Sequence, residues 1–253
     1  MFNLFKKNES RRSAELTDRL ARENWMYMDY CQDLIDSGLH TLIGGATGSG
    51  KSYLVRELLH YILTRPLGTI DLVLIDPKRV DLVDYKQTAP CKGYAQTPSE
   101  ALATLQAVSR IMEDRYRIMS RDHLKKWTGN RIIVVIDEIA DLFMSDKGKA
   151  IKAELQHLVQ LGRASNITVI CCTQTPHRKV IPAEIQLNFG IVIALRCRSS
   201  IESRLLINQA GAETLPLYGY GIIKTPSETY TQTLGVSSEE AVQNRIRIAE
   251  LIA

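Results

Sequence analysis

The stretch HTLIGGATGSGKSY, His40–Tyr53, decides the fold. It opens with a short β-rich run, passes through a cluster of glycines and ends in Lys51-Ser52-Tyr53, where a helix-compatible stretch begins. Gly45-Ala46-Thr47-Gly48-Ser49-Gly50-Lys51-Ser52 satisfies the pattern G-x-x-x-x-G-K-[ST] between a strand and a helix. The glycines let backbone N–H groups turn inward around an anion, at a helix N-terminus that already favours negative charge. Lys51 is placed to reach the outer phosphates of a nucleotide, and Ser52 to ligate a divalent cation. Gly45 to Tyr53 is therefore the expected phosphate cradle; the bland alternative is a glycine-rich turn that holds nothing.

Outward from this loop the chain repeats the same alternation. β-rich runs appear at IDLVLID, RIIVVIDE, NITVICCT and GIVIALR, and helical stretches begin at Lys51, Pro98 and Ala150. The runs are nearly continuous in Val and Ile, as parallel strands covered on both faces require. Strand–helix alternation of this kind predicts an α/β fold, a doubly wound and mostly parallel sheet with right-handed crossovers. After Gly219, YGIIK-TPSE-TYTQTL reads as a C-terminal β-hairpin, and SSEEAVQNRIRIAELIA as an amphipathic helix. At the other end, residues 1–13 read as a basic arm, followed by a helical pattern from Ala14 to about Asp36. The expected organisation is an arm and helix over 1–37, one α/β domain over 38–235, and a terminal helix over 236–253.

The Pro98 stretch is the clearest helix. Thr97 is its N-cap, Pro98 its first residue, and Glu100 completes a capping box. Leu102, Leu105, Met112, Tyr116 and Met119 recur at helical spacing and face the sheet, while Arg110, Arg117 and Arg121 read as a solvated face, with DNA contact the sharper alternative.

Composition is that of an ordinary globular protein: 253 residues, 45% hydrophobic, 24% charged, net charge +4. That balance does not announce a nucleic-acid partner; local clusters must. The five cysteines form no CxxC pair, which argues against a zinc site and for reduced thiols in a cytoplasmic protein. No apolar run approaches the ~20 residues that span a bilayer, so no membrane insertion is expected.

RIIVVIDE carries the second half of a nucleotide site. Asp137 stands at the end of a buried run, where it can hold Mg²⁺, and Glu138 can orient and deprotonate an attacking water. The alternative is an acid pair that caps the next helix. In NITVICCTQT, Thr173 and Gln174 fall at another strand end, where such sheets gather ligands, and Gln174 can bond the terminal phosphate or the water.

The stretches HTLIGGATGSGKS, LVLIDPKRVDL, MEDRYRIMS, IIVVIDEIADLFM, LVQLGRASNITVICCTQTP and RSSIESRLLINQAGAETL carry more than these motifs. In this order, over about residues 38 to 234, the chain resembles the motor domain of the FtsK/SpoIIIE family of double-stranded DNA translocases. The resemblance implies a RecA-like fold, ATP with Mg²⁺, and a homo-oligomeric ring, usually a hexamer, around double-stranded DNA. Arg163 falls where the family carries an arginine that completes the neighbouring subunit's site; its alternative is a cation near a helix C-terminus. Channel loops are implied after the Gln174 strand and around RSSIESR. These offer His177, Arg178 and Lys179, then Arg198, Ser200 and Arg204, as sequence-insensitive phosphate contacts. Arg204 is equally an ion-pair partner for Glu202 or Glu213. Thr175 and Ser200 stand where the family often has basic residues. Asp76 and Lys78, at another strand end, have a role at the subunit contact or in positioning ATP, and no spacing decides which.

The family's membrane helices, linker and winged helix have no counterpart in this sequence, so a motor core is expected. A plasmid, conjugative element or phage suits such a core, with a replication initiator, relaxase or portal protein choosing the DNA. The competing expectations are a DNA-transfer coupling or recruitment ATPase and a phage assembly or packaging ATPase.

Overall fold

The computed structural model describes residues 31–177, 181–217 and 219–233. The amino-terminal arm and most of the first predicted helix lie outside these residues, as does the helix expected over 236–253; residues 31–36 are helical. Eight strands form one sheet: β1 (Thr41–Gly44), β2 (Ile70–Ile75), β3 (Cys91–Ala95), β4 (Arg131–Ile136), β5 (Ile167–Thr173), β6 (Ile191–Ala194), β7 (Tyr220–Lys224) and β8 (Thr229–Thr233). Besides the helical residues 31–36, six helices accompany them among the described residues: α1 (Lys51–Leu63), α2 (Pro98–Arg121), α3 (Ile139–Phe143), α4 (Gly148–Leu161), α5 (Ala183–Gln186) and α6 (Ser200–Ile207).

The strand order is β3-β2-β4-β5-β1-β6-β7-β8. β1 to β6 pair parallel, and the hairpin β7–β8 joins antiparallel at the β6 edge. All five β-rich runs are strands, and the hairpin forms as expected. β3 has no counterpart among those runs, because CKGYA is short and broken by glycine. α4 starts at Gly148 rather than Ala150.

Successive residues of a strand point to opposite faces, so each buried strand feeds two cores. Ile132, Val134 and Ile136 join Leu105, Met112, Leu155 and Leu158 under α2 and α4. Ile133 and Val135 join Leu54, Leu58 and Ile62 under α1. Each such side chain contributes on the order of 2 kcal/mol by leaving water. The vicinal cysteines divide the same way: Cys171 lies in one core and Cys172 in the other, both as free thiols.

α2 carries the expected capping box. Thr97 Oγ1 accepts from Glu100 N at 3.2 Å, and the Glu100 carboxylate accepts from Thr97 N at 3.1 Å. Its Arg110, Arg117 and Arg121 are exposed, the latter two beside Asp114 and Asp122. Arg115 is different: it is buried, its guanidinium lies 5.1 Å over the Trp127 ring, and it donates to Ser165 O at 2.7 Å. It pins α2 to the turn between α4 and β5.

Candidate functional site

The carboxyl ends of β4, β5 and β1 lie side by side. Parallel register sets Gly44 beside Thr173 and Ile136 beside Cys171, which brings the loop after β1, Gln174 and Asp137-Glu138 to one edge. The glycine loop is tied at both shoulders, by Gly45 N to Thr173 O at 3.3 Å and Ala46 N to Arg196 O at 2.8 Å. Gly48 and Gly50 take φ of 76° and 95°, the left-handed region that a side chain disfavours. No side chain caps the start of α1, so its first N–H groups remain donors. That is the donor set an anion requires. Within the loop, Lys51 Nζ donates to Gly45 O at 3.0 Å, and burial pulls its ammonium below the usual lysine range. Ser52 and Tyr53 occupy the first turn of α1, with the Arg56 guanidinium 5.9 Å over the Tyr53 ring.

Asp137 and Glu138 are both buried as β4 ends. Burial pushes the Asp137 carboxyl up to about 6, with Asp81 adding to the rise and Lys78 opposing it. Its Oδ2 accepts no hydrogen bond. Glu138 makes the helix cap of the alternative reading and also faces its neighbours at the strand ends. Its carboxylate caps α3 through Ala140 N at 3.4 Å, and it accepts from Gln174 N at 3.0 Å and from Lys78 Nζ at 3.3 Å. Gln174 Oε1 in turn accepts from Thr47 Oγ1 at 2.8 Å. A continuous chain of bonds thus runs Thr47–Gln174–Glu138–Lys78 and joins the ends of β5, β4 and β2 to the glycine loop.

Spacing did not decide between a subunit-contact and an ATP-positioning role for Asp76 and Lys78, and the fold separates the two residues. Asp76 is fully buried and organises the turn after β2, accepting from Arg79 N at 2.8 Å, Leu82 N at 3.1 Å and Tyr94 Oη at 3.3 Å. Lys78 projects from that turn into the site, because β2 pairs with β4 and sets Ile75 beside Ile136. The sequence signal was the Asp-Pro-Lys step itself; what it lacked was the neighbour.

Arg163 lies elsewhere. It follows α4 at the amino edge of the sheet, exposed and with no carboxylate partner among the described residues. The seven residues of β5 put roughly 20 Å between its turn and Gln174. His40, buried just before β1, lies against that turn at Gly162, and its Nδ1 accepts from Val169 N of β5 at 3.0 Å. A Cβ on Gly162 would come within 3.2 Å of the His40 ring. Sequence reading did not single out His40.

Of the expected DNA contacts, Arg178 and Lys179 lie outside the described residues. His177 is exposed in the segment after β5. Arg198 is exposed between β6 and α6, where Ser199 caps the helix and Glu202 closes back on Arg198 N at 2.8 Å. Arg204 Nη1 donates to Ser200 Oγ at 3.5 Å and forms no ion pair with Glu202 or Glu213. His177, Arg198, Ser200 and Arg204 follow the carboxyl ends of β5 and β6, the two strands that flank β1 and its glycine loop.

A doubly wound sheet with a glycine loop after β1 and an acid pair after β4 defines a P-loop nucleotide-binding ATPase fold of the RecA-like kind. Residues 3–131 match the model of the FtsK/SpoIIIE family, half of the chain, and the chain belongs to that family. It is 33% identical over 197 residues to the DNA translocase FtsK of Chlorobaculum tepidum, covering 70% of this chain and 24% of that one. The chain spans about a quarter of the length of the curated relatives it matches. Among solved structures, the pCW3 conjugation coupling protein TcpA with ATPγS has a TM-score of 0.73 at 23% identity, over 83% of this chain and 65% of that one. The cytoplasmic domain of the Thermomonospora curvata Type VII secretion ATPase EccC has a TM-score of 0.72 at 20% identity, over 83% and 28%. No helix among the described residues is long and apolar enough to cross a membrane.

Proposed function

We propose that the chain hydrolyses ATP and uses it to translocate double-stranded DNA, as a ring of identical subunits. The observation that carries this is the bonded chain Thr47–Gln174–Glu138–Lys78 at the mouth of the glycine loop, in a member of the FtsK/SpoIIIE family. Capping α3 would serve a nucleotide-binding scaffold as well, but a carboxylate bonded to Gln174 and Lys78 at the loop's mouth serves a hydrolase.

The residues fit MgATP. The open N–H groups of the loop and Lys51 would hold the phosphates, while Ser52 and the unbonded Oδ2 of Asp137 would hold Mg²⁺. When bound, Mg²⁺ supplies charge neutralisation between the outer phosphates. Glu138 takes the proton of the attacking water, and Gln174 orients that water or the terminal phosphate. Arg163, exposed and far from its own loop, is suited to enter a neighbour's site and stabilise charge there. His177, Arg178, Lys179, Arg198, Ser200 and Arg204 are the proposed contacts to the DNA backbone, and the cytoplasm is the proposed compartment.

Turnover measured with long duplex, single-stranded DNA and no DNA tests this reading. Strong stimulation by long duplex and displacement of a triplex strand are expected. Turnover indifferent to every DNA would overturn translocation. It would favour a second reading, a coupling ATPase of a mobile element, which shares its fold with TcpA.

A further inference from the structure

We infer that Lys78 is a positioning residue that restrains the Glu138 carboxylate until a terminal phosphate arrives, then exchanges that carboxylate for the phosphate. The inference rests on the hydrolytic reading above and names the group that makes the site sensitive to triphosphate over diphosphate.

Lys78 sits between the two carboxylates of the site. Its ammonium is 3.3 Å from Glu138 Oε2 and 4.0 Å from Asp137 Oδ2, an oxygen that no hydrogen bond satisfies. The same Oε2 accepts from Gln174 N at 3.0 Å, so three groups compete for one small region. The ammonium and the Gln174 N–H together hold the Glu138 carboxylate in one orientation.

The support beneath Lys78 is rigid and its own side chain is not. Asp76 ties the turn through Arg79 N, Leu82 N and Tyr94 Oη, and Arg79 takes φ of 61° to complete it. The Lys78 side chain remains 31% exposed, against 4% for Glu138. Motion is therefore confined to a flexible four-carbon stem on a fixed base. Lys51, across the site, feels the Lys78 charge, which puts both ammonium groups in one field.

A terminal phosphate carries more negative charge than a carboxylate and has more acceptor oxygens. When it enters this field, the Lys78 ammonium gains a stronger partner. Glu138 then keeps its bonds from Gln174 N and Ala140 N, which aim it, and gives up the ammonium that held it. A diphosphate offers no such partner, so Lys78 stays on Glu138 and the site stays at rest.

The test compares the affinities of the full chain for ATPγS and ADP by calorimetry, together with steady-state turnover of ATP. In Lys78→Met, ATPγS binding is expected to weaken on the order of tenfold, the usual consequence of losing a charge-assisted bond. ADP binding should stay within about twofold, and kcat should fall. Lys78→Arg should recover part of the preference for ATPγS. Lys78→Gln supplies the same comparison should the Met variant fold poorly. A parallel loss of both nucleotides, or no change in either, would overturn the exchange and leave Lys78 a fixed structural cation. A wild-type chain that binds both nucleotides but turns over no ATP would sink the hydrolytic reading first, and this one with it.

Discussion

Glu138 shows how much one side chain carries here. Its carboxylate caps α3 and receives Gln174 N and Lys78 Nζ, and it is the base we propose for the attacking water. A glutamine keeps an acceptor oxygen for the cap and the Gln174 N–H, but cannot take a proton. Glu138→Gln is therefore expected to fold and bind ATPγS as the wild type does while kcat drops about 10²–10⁴-fold. Normal turnover in that variant would refute its role as base. His40 makes a different prediction. Burial, and after it Arg163, pushes its imidazole from 6.5 down to about 4. The folded ring binds its proton more weakly than the unfolded one. Its contribution to stability is thus complete above pH 6.5 and is lost as pH falls towards 4, roughly 3 kcal/mol in all. Asp137, raised to about 6, acts with the opposite sign over the lower part of that window. The comparison is therefore between wild type and His40→Asn, whose Oδ1 can still accept from Val169 N. The difference in urea stability should change by close to one proton's slope between pH 6.5 and 4.5, and a flat difference would show His40 to be unperturbed.

Elements hold these residues by ordinary means. α2 is anchored at its start by the Thr97–Glu100 box and towards its end by Arg115 on Ser165 O and the Trp127 ring. Removing the box oxygen with Thr97→Ala should cost about 1 kcal/mol in chemical denaturation, without altering nucleotide affinity. A larger effect on affinity than on stability would mean that α2 positions the site more tightly than its bonds indicate. Such elements were legible because their signals are local. A cap lies three residues from its partner, an apolar run announces a buried strand, and a glycine loop needs its glycines within a single turn. β3 escaped because CKGYA owes its place to pairing with β2, and nothing within the segment itself marks it.

The whole molecule keeps Arg163 apart from the site at the carboxyl edge of its own sheet. Gln174 and Glu138 lie at the carboxyl edge of the sheet, and Arg163 at the amino edge. If a ring joins one subunit's amino edge to the next one's carboxyl edge, two inactive variants can compensate. Mixing Arg163→Ala with Lys51→Ala subunits is expected to restore part of the turnover that each lacks alone; a mixture as inactive as its components would make Arg163 structural. The phosphate cradle, the strand-end acids, the α/β architecture and the family were all present in the chain as written, because each depends on residues within one loop, one strand or one helix. The placement of Lys78 against Glu138, the turn-building role of Asp76 and the position of His40 against Arg163's turn required the folded molecule. They depend on which strands pair and in what register, β2 with β4 and β1 with β5. Those pairings join segments dozens of residues apart, and no local pattern of side chains specifies them.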